Sequence, residues 1–156
     1  MEATVESRAI PIEQIISLQP FIVRRRIAFR DCDPAGIVYT PRFLDPIATS
    51  AADLFIAELI GPYGNRDKEI KGLDTPAKAV NMVFHSPSRH GDLLDLEVYC
   101  SRIGTTSFET AIEARSVDGK PRFDCRITVL SVEHNPFRAS PLPEYLIEKL
   151  SPYQRS

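Results

Sequence analysis

Arg30-Asp31-Cys32-Asp33-Pro34-Ala35-Gly36-Ile37-Val38-Tyr39-Thr40-Pro41 places two acids and a glycine in a tight turn, directly before the long apolar stretch Arg42–Ile60. In that stretch Leu44, Ile47, Ala48, Ala51, Ala52, Phe55 and Leu59 recur at helical spacing, the pattern of a buried stripe. At 1.5 Å per residue the helix is roughly 28 Å long, about the width of a small domain. A helix so long and so apolar must be wrapped by something. Pro46 removes one helical hydrogen bond and crowds the preceding turn. Either the helix starts with Asp45 as its cap, or a turn from Thr40 is kinked at Pro46; the kinked form is the one expected. A carboxylate in this turn lies beside the unpaired N–H groups of a helix start, donors that bind an anion or polarise a carbonyl.

Outward from this segment, Phe21 to Arg30 alternates, with Phe21, Val23, Ile27 and Phe29 in one phase, and reads as a strand. Downstream, four more segments have period-two character: Ala77–His85, Leu93–Arg102, Ser107–Val117 and Arg122–Glu133. In the second of these, Leu94, Leu96, Val98 and Cys100 oppose Asp95, Glu97, Tyr99 and Ser101. Asp118-Gly119-Lys120 marks a hairpin, and short connections between consecutive strands mean an antiparallel sheet. Gly61–Pro76 reads as loop, and Pro143–Leu150 as a short closing helix. The expected fold is α+β, a sheet of about five strands around one central helix. Residues 1–20 read as an N-terminal extension in which Ile10, Ile12, Ile15, Ile16 and Leu18 form a helical turn or two ended by Pro20. Residues 21–150 form the domain and 151–156 a tail.

The 156 residues fit one domain with a core of its own. Hydrophobic residues make up 43% and charged residues 26%, so disorder of the whole chain is not expected. A net charge of −2 gives no electrostatic reason to expect nucleic acid or anionic lipid as partner. No apolar run approaches the roughly 20 residues of a membrane span, and Met1-Glu2-Ala3-Thr4-Val5-Glu6 lacks the character of a secretion signal. Cys32, Cys100 and Cys125 are odd in number and far apart, which suits a reducing cytoplasm. His85 and His90 have no third ligand at suitable spacing, so neither a metal nor another cofactor is expected.

The run Asp-Cys-Asp-Pro-Ala-Gly-Ile-Val at 31–38, followed by an aromatic residue, a proline and the helix, resembles the hotdog-fold acyl-CoA thioesterases, and in particular the 4-hydroxybenzoyl-CoA thioesterase group. The resemblance continues through Thr75-Pro76, Asn81, Phe84, Gly91-Asp92, Ser107-Phe108 and the ending Pro143 to Glu148. It implies hydrolysis of an acyl-CoA, with Asp33 as nucleophile or as base for water and the backbone amide of Thr40 as oxyanion donor. It also implies a substrate site that includes Gly36, Tyr39, Ala48, Asn81, Thr105, Thr106 and Ser107, shared between the subunits of a homodimer or homotetramer. A thioester suits an aspartate, because its thiolate leaving group needs no strong acid and an ordinary aspartate is ionised at neutral pH. Three places depart from the family pattern, the first being Thr40, where the usual residue is aromatic but only the amide is needed. Ala48 stands where hydroxybenzoyl-specific members place a helix carboxylate, and Gly104-Thr105-Thr106 where they place a basic triplet for the CoA phosphates. Arg102, Arg89 and His90 are the cations available to substitute.

Among the other polar residues, Asp31 reads as a structural or solvent-facing neighbour, and Cys32, flanked by acids, is a poor thiolate. Arg24-Arg25-Arg26 reads as a solvated or interface strand with Arg25 on the face opposite its neighbours. His134 reads as a surface residue near a strand end. Asn81 is either a satisfied core amide or part of the pocket. Two other functions compete: a non-catalytic acyl-thioester-binding domain, and a hotdog hydratase. The hydratase reading lacks a histidine near Asp33.

Overall fold

The computed structural model describes residues 9–61 and 75–156. Most of the expected loop Gly61–Pro76 lies outside them. Six strands form one sheet: β1 (Glu13–Leu18), β2 (Phe21–Arg26), β3 (Ala77–Phe84), β4 (Leu93–Ile103), β5 (Ser107–Ser116) and β6 (Pro121–Leu130). Their order is β1-β2-β4-β5-β6-β3, and every neighbouring pair is antiparallel. A small ribbon, β7 (Val132–Glu133) with β8 (Arg138–Ala139), leads to the closing helix α3 (Glu144–Leu150). The architecture is the α+β arrangement expected, with one strand more.

That sixth strand corrects the reading of residues 10–18 as helical turns. Gln19 and Pro20 make a tight turn that folds Glu13–Leu18 back onto β2, with Leu18 opposite Phe21 and Glu13 opposite Arg25. Ile15, Ile16 and Leu18 stay substantially exposed. Their spacing suits a helix, but pairing with the free edge of β2 satisfies the backbone of the whole segment.

The central helix carries the kink expected at Pro46. A first turn, α1 (Thr40–Arg42), runs into a wide π-type segment at Phe43–Ala48, inside which Asp45 leaves the helical region at φ −121°, ψ 114°. Regular helix follows as α2 (Thr49–Ile60) and stops at Gly61, whose φ is +88°. Ala48 and Ala51 are fully buried, so the helix lies close against the inner face of the sheet. Phe55 anchors it, edge-on to Phe21 at 5.2 Å and to Tyr153 at 5.1 Å. At the helix start Phe43 meets Phe123 and Phe84 at 5.2 and 5.3 Å. Alternation along β4 and β5 supplies Leu94, Leu96, Val98, Cys100, Phe108 and Ile112 to the same core.

Beyond α3 the chain does not trail away. Gln154 bridges to Cys100 of β4, and Arg155 stacks over the Tyr99 ring at 3.8 Å while pairing with Glu97 at 2.6 Å.

Candidate active site

The strand phase of β2 continues through Phe21, Val23, Arg25 and Ile27, all buried, but the strand ends at Arg26. Phe29, expected on the inner face, lies instead in a 3-10 turn, Phe29–Asp31, and is 81% exposed. The chain then makes a hairpin in miniature. Cys32 bridges Val38, the Asp33 amide donates to the Ile37 carbonyl at 3.0 Å, and the Gly36 amide donates to the Asp33 carbonyl at 2.9 Å. Pro34 presets the first turn position, and Gly36 takes the left-handed conformation (φ +78°) that closes such three-residue turns. The hairpin is fastened to the segment after β3: the Val38 amide donates to Ser88 at 2.9 Å, and Ile37 bridges Arg89. A Cβ at position 36 would lie 4.0 Å from Nη1 of Arg89, so this guanidinium passes over the turn.

Asp33 is half-buried at the head of the turn. Its Oδ1 accepts the Ala35 amide at 2.8 Å, and Oδ2 has no partner among the described residues. The helix opens at Thr40, followed by Pro41, which carries no N–H. The Thr40 amide has no acceptor among the described residues, as the first donor of a helix normally lacks one. One chain therefore presents a carboxylate with a free oxygen and an unpaired helix amide on the same short connection. The side chains of Tyr39 and Thr40 are exposed.

Behind the turn lies a buried ion cluster that the sequence did not reveal as one. Asp31 is fully buried, not solvent-facing; its Oδ1 accepts Arg42 at 2.9 Å, and its Oδ2 accepts the Ala28 amide at 2.9 Å. Arg25, expected on a solvated or interface strand, is only 3% exposed and lies 3.6 Å from Asp31 and 3.5 Å from Glu13. Glu13 in turn accepts Ser50 of α2 at 2.6 Å. Alternation did place Arg25 opposite its neighbours; the inner face holds it because two carboxylates neutralise it there.

The remaining expected residues are dispersed. Ala48 is buried in the core, and Asn81 stands exposed on β3, which removes the core-amide reading for the single chain. Thr105, Thr106 and Ser107 form the β4–β5 turn, closed by the Gly104 amide on the Ser107 carbonyl at 2.7 Å. This turn lies at the opposite end of the sheet from Asp33. Ser107 pairs with Leu130 and Ala77 with Val129 at one end; Phe84 pairs with Phe123 at the other, where the hairpin docks. Within one chain these two parts are separated by the length of β3, roughly 23 Å.

A cleft of about 290 Å³ opens between α2 and the sheet, lined by Thr49, Asp53 and Ile56 on the helix and by Thr110, Ile127 and Val129 on the strands. Asp33 is not part of its lining. Thr49 and Asp53 escaped sequence reading, although their four-residue spacing on an otherwise apolar helix is the signal that marks them. Cys100 and Cys125 have their thiols pushed up to about 11, Cys125 by burial alone and Cys100 by burial against two weaker backbone hydrogen bonds. Among the described residues no three His, Cys, Asp or Glu side chains are grouped to hold a metal ion. His85 pairs with Asp124 at 2.8 Å, and His90 sits edge-on to Phe29. No described helix is long and apolar enough to cross a membrane.

One antiparallel sheet curled round a long helix, with an acidic turn at the helix start, is the hotdog architecture. A thioesterase superfamily protein from Jannaschia sp. CCS1 shares it with a TM-score of 0.77 and 28% identity, over 87% of this chain and 94% of that one. The 4-hydroxybenzoyl-CoA thioesterase of Pseudomonas sp. strain CBS-3 superposes with a TM-score of 0.74 and 22% identity, over 82% and 96%. A 1,4-dihydroxy-2-naphthoyl-CoA thioesterase from Synechocystis gives 0.75 and 17%, over 84% and 95%.

The chain belongs to the thioesterase superfamily, whose family model matches residues 37–122. In sequence it is 31% identical to the Pseudomonas 4-hydroxybenzoyl-CoA thioesterase over 75 residues, 48% of this chain. That match spans about half, 53%, of the relative's length. Asp33 lies just outside the matched family segment.

Proposed function

We propose that the protein hydrolyses an acyl-CoA thioester to the free acid and CoA. Asp33 acts as nucleophile or as general base for water, and the Thr40 amide donates to the carbonyl oxygen as negative charge develops on it. The observation that carries this reading is the pairing of Oδ2 of Asp33, unpartnered among the described residues, with an unpaired helix-start amide seven residues on, both held by one short hairpin. If the carboxylate attacks, the thioester carbonyl forms a mixed anhydride as CoA leaves as thiolate, and water then cleaves the anhydride. If it acts as base, water attacks directly. The same two groups serve both routes.

Membership of the thioesterase superfamily supports the reaction class. Alanine at position 48 favours an acyl group without the aryl hydroxyl that hydroxybenzoyl specificity requires. Three unpaired cysteines suit a reducing cytoplasm.

The site belongs to a dimer. β3 is an edge strand exposed along almost its whole length, with Val80, Val83 and Phe84 each more than 40% exposed. Pairing two copies of β3 about a two-fold axis sets the Phe84 end of one strand beside the Ala77 end of the other. That brings the Thr105–Ser107 turn of one subunit towards the Asp33 turn of its partner, together with Asn81, and gives two sites per dimer. A homodimer is the smallest active form on this reading, and its further pairing makes a homotetramer.

The test is thiol release from 4-hydroxybenzoyl-, benzoyl-, hexanoyl- and decanoyl-CoA by wild type, Asp33→Asn and Asp33→Ala. Both variants should fold and lose at least about a hundredfold in turnover, the lower range for losing a base or nucleophile. Tight acyl-CoA binding with no turnover in the wild type would favour a binding domain, and near-wild-type turnover by Asp33→Asn would remove Asp33 from the chemistry.

A further inference from the structure

The buried cluster Glu13–Arg25–Asp31–Arg42 is poorly built as a source of stability. Among the described residues, Nε of Arg25, Nε of Arg42 and Nη2 of Arg25 are buried without hydrogen bonds, although Nη2 lies within ion-pair range of Asp31. Charges withdrawn from water and incompletely bonded return little or nothing in net stability. The cluster's geometry points to a different use.

Asp31 grips both sides of Thr40. Its carbonyl accepts the Tyr39 amide at 2.9 Å, one residue before, and its carboxylate accepts Arg42 at 2.9 Å, two residues after. Its other oxygen holds the Ala28 amide at the end of β2. Asp33 follows two residues later on the same backbone. From these contacts we infer that Asp31 and Arg42 are positioning residues: they hold the helix-start amide of Thr40 in register with the Asp33 carboxylate. Arg25 extends the hold to Glu13, and Glu13 to Ser50 of α2, so the edge strand β1 and the helix body brace the same turn. Four formal charges cancel in pairs, two arginines against two carboxylates, and neither positive charge faces the thioester site uncompensated.

This rests on the assignment of Asp33 and Thr40 made above. A shift of about 1 Å in a catalytic group costs on the order of a hundredfold in rate, while ground-state binding is less sensitive. Arg42→Gln removes the charge at a side chain that is 32% exposed, so it is the variant expected to fold. Its kcat should fall at least about tenfold with KM within roughly threefold of wild type, and Arg42→Lys should recover part of the loss. Asp31→Asn should behave as Arg42→Gln, and the double variant should lose little more than either alone.

A second readout does not depend on turnover: in Arg42→Gln, amide exchange across 31–42 should quicken while β4 and β5 stay protected. Unchanged kcat in Arg42→Gln and Asp31→Asn, beside an inactive Asp33→Asn, would overturn the positioning role alone. An active Asp33→Asn would overturn the site assignment instead, and the exchange measurement would still decide the brace. Unchanged exchange refutes it, whatever the activity.

Discussion

Gly36 carries a constraint that no neighbouring atom imposes. A methyl group there would meet only the guanidinium of Arg89 at ordinary contact distance, but the backbone holds φ at +78°. Gly36→Ala should therefore cost about 1–2 kcal/mol through backbone strain alone, with a lowered midpoint in urea and a larger proportional fall in turnover because the Asp33 turn must shift. A midpoint unchanged from wild type would mean that the turn relaxes freely. The acids on either side of Cys32 show how far sequence carries at this scale. Asp33 was legible because its turn, its glycine and the helix beyond it form one local pattern. Asp31 and Arg25 were not, because Asp31 is neutralised by Arg25 and Arg42, and Arg25 is further paired with Glu13, on a segment whose apolar spacing suggested helix. A residue's partner across a sheet is set by pairing, which has no signature in the residue's own neighbourhood.

The strands were largely legible as elements, since period-two alternation in β4 to β6 reports an inner and an outer face directly. On the outer face Glu109 of β5 ties three strands, accepting Ser101 of β4 at 2.7 Å, Thr128 of β6 at 3.0 Å and Arg126 at 3.3 Å. Its carboxyl is held below the usual range, chiefly by the Ser101 hydroxyl, with Thr128 and Arg126 adding to it against desolvation. A depressed folded pKa stabilises the fold above the unfolded value and loses that contribution as pH falls through the folded one. Glu109→Gln should accordingly lower stability by roughly 1 kcal/mol at pH 7. The gap to wild type should narrow below about pH 4, as urea titrations at pH 7 and pH 3 would show. A gap independent of pH would mean that shape, not charge, holds the three strands. The helix was legible too, including its kink, because Pro46 announces itself; the width of the π-type segment before Ala48 has no comparable marker.

In the whole molecule the two sheet edges are not equivalent. β1 is broken at mid-strand by a bulge between Ile15 and Ser17, a feature that discourages further pairing. β3 keeps regular register from Ala79 to Phe84 and exposes apolar side chains along it. Val80→Lys would set two like charges near the two-fold axis of the proposed β3 pairing. Sedimentation equilibrium should then give the 17.5 kDa monomer, and turnover should fall with it, since the Thr105–Ser107 turn no longer reaches a partner's Asp33. A monomer of full activity would refute the shared site.

The strand order has a consequence for the growing chain. β2, the long helix and β3 are made before β4, β5 and β6, yet those three strands separate β2 from β3 in the sheet. When β3 emerges from the ribosome its neighbour in the described sheet, β6, does not exist, and the helix has the two-stranded ribbon of β1 and β2 to cover it. A ribbon of that size does not hold a structure by itself. The central helix must wait exposed until β4, β5 and β6 close over it, so its apolar surface is buried by strands made well after it.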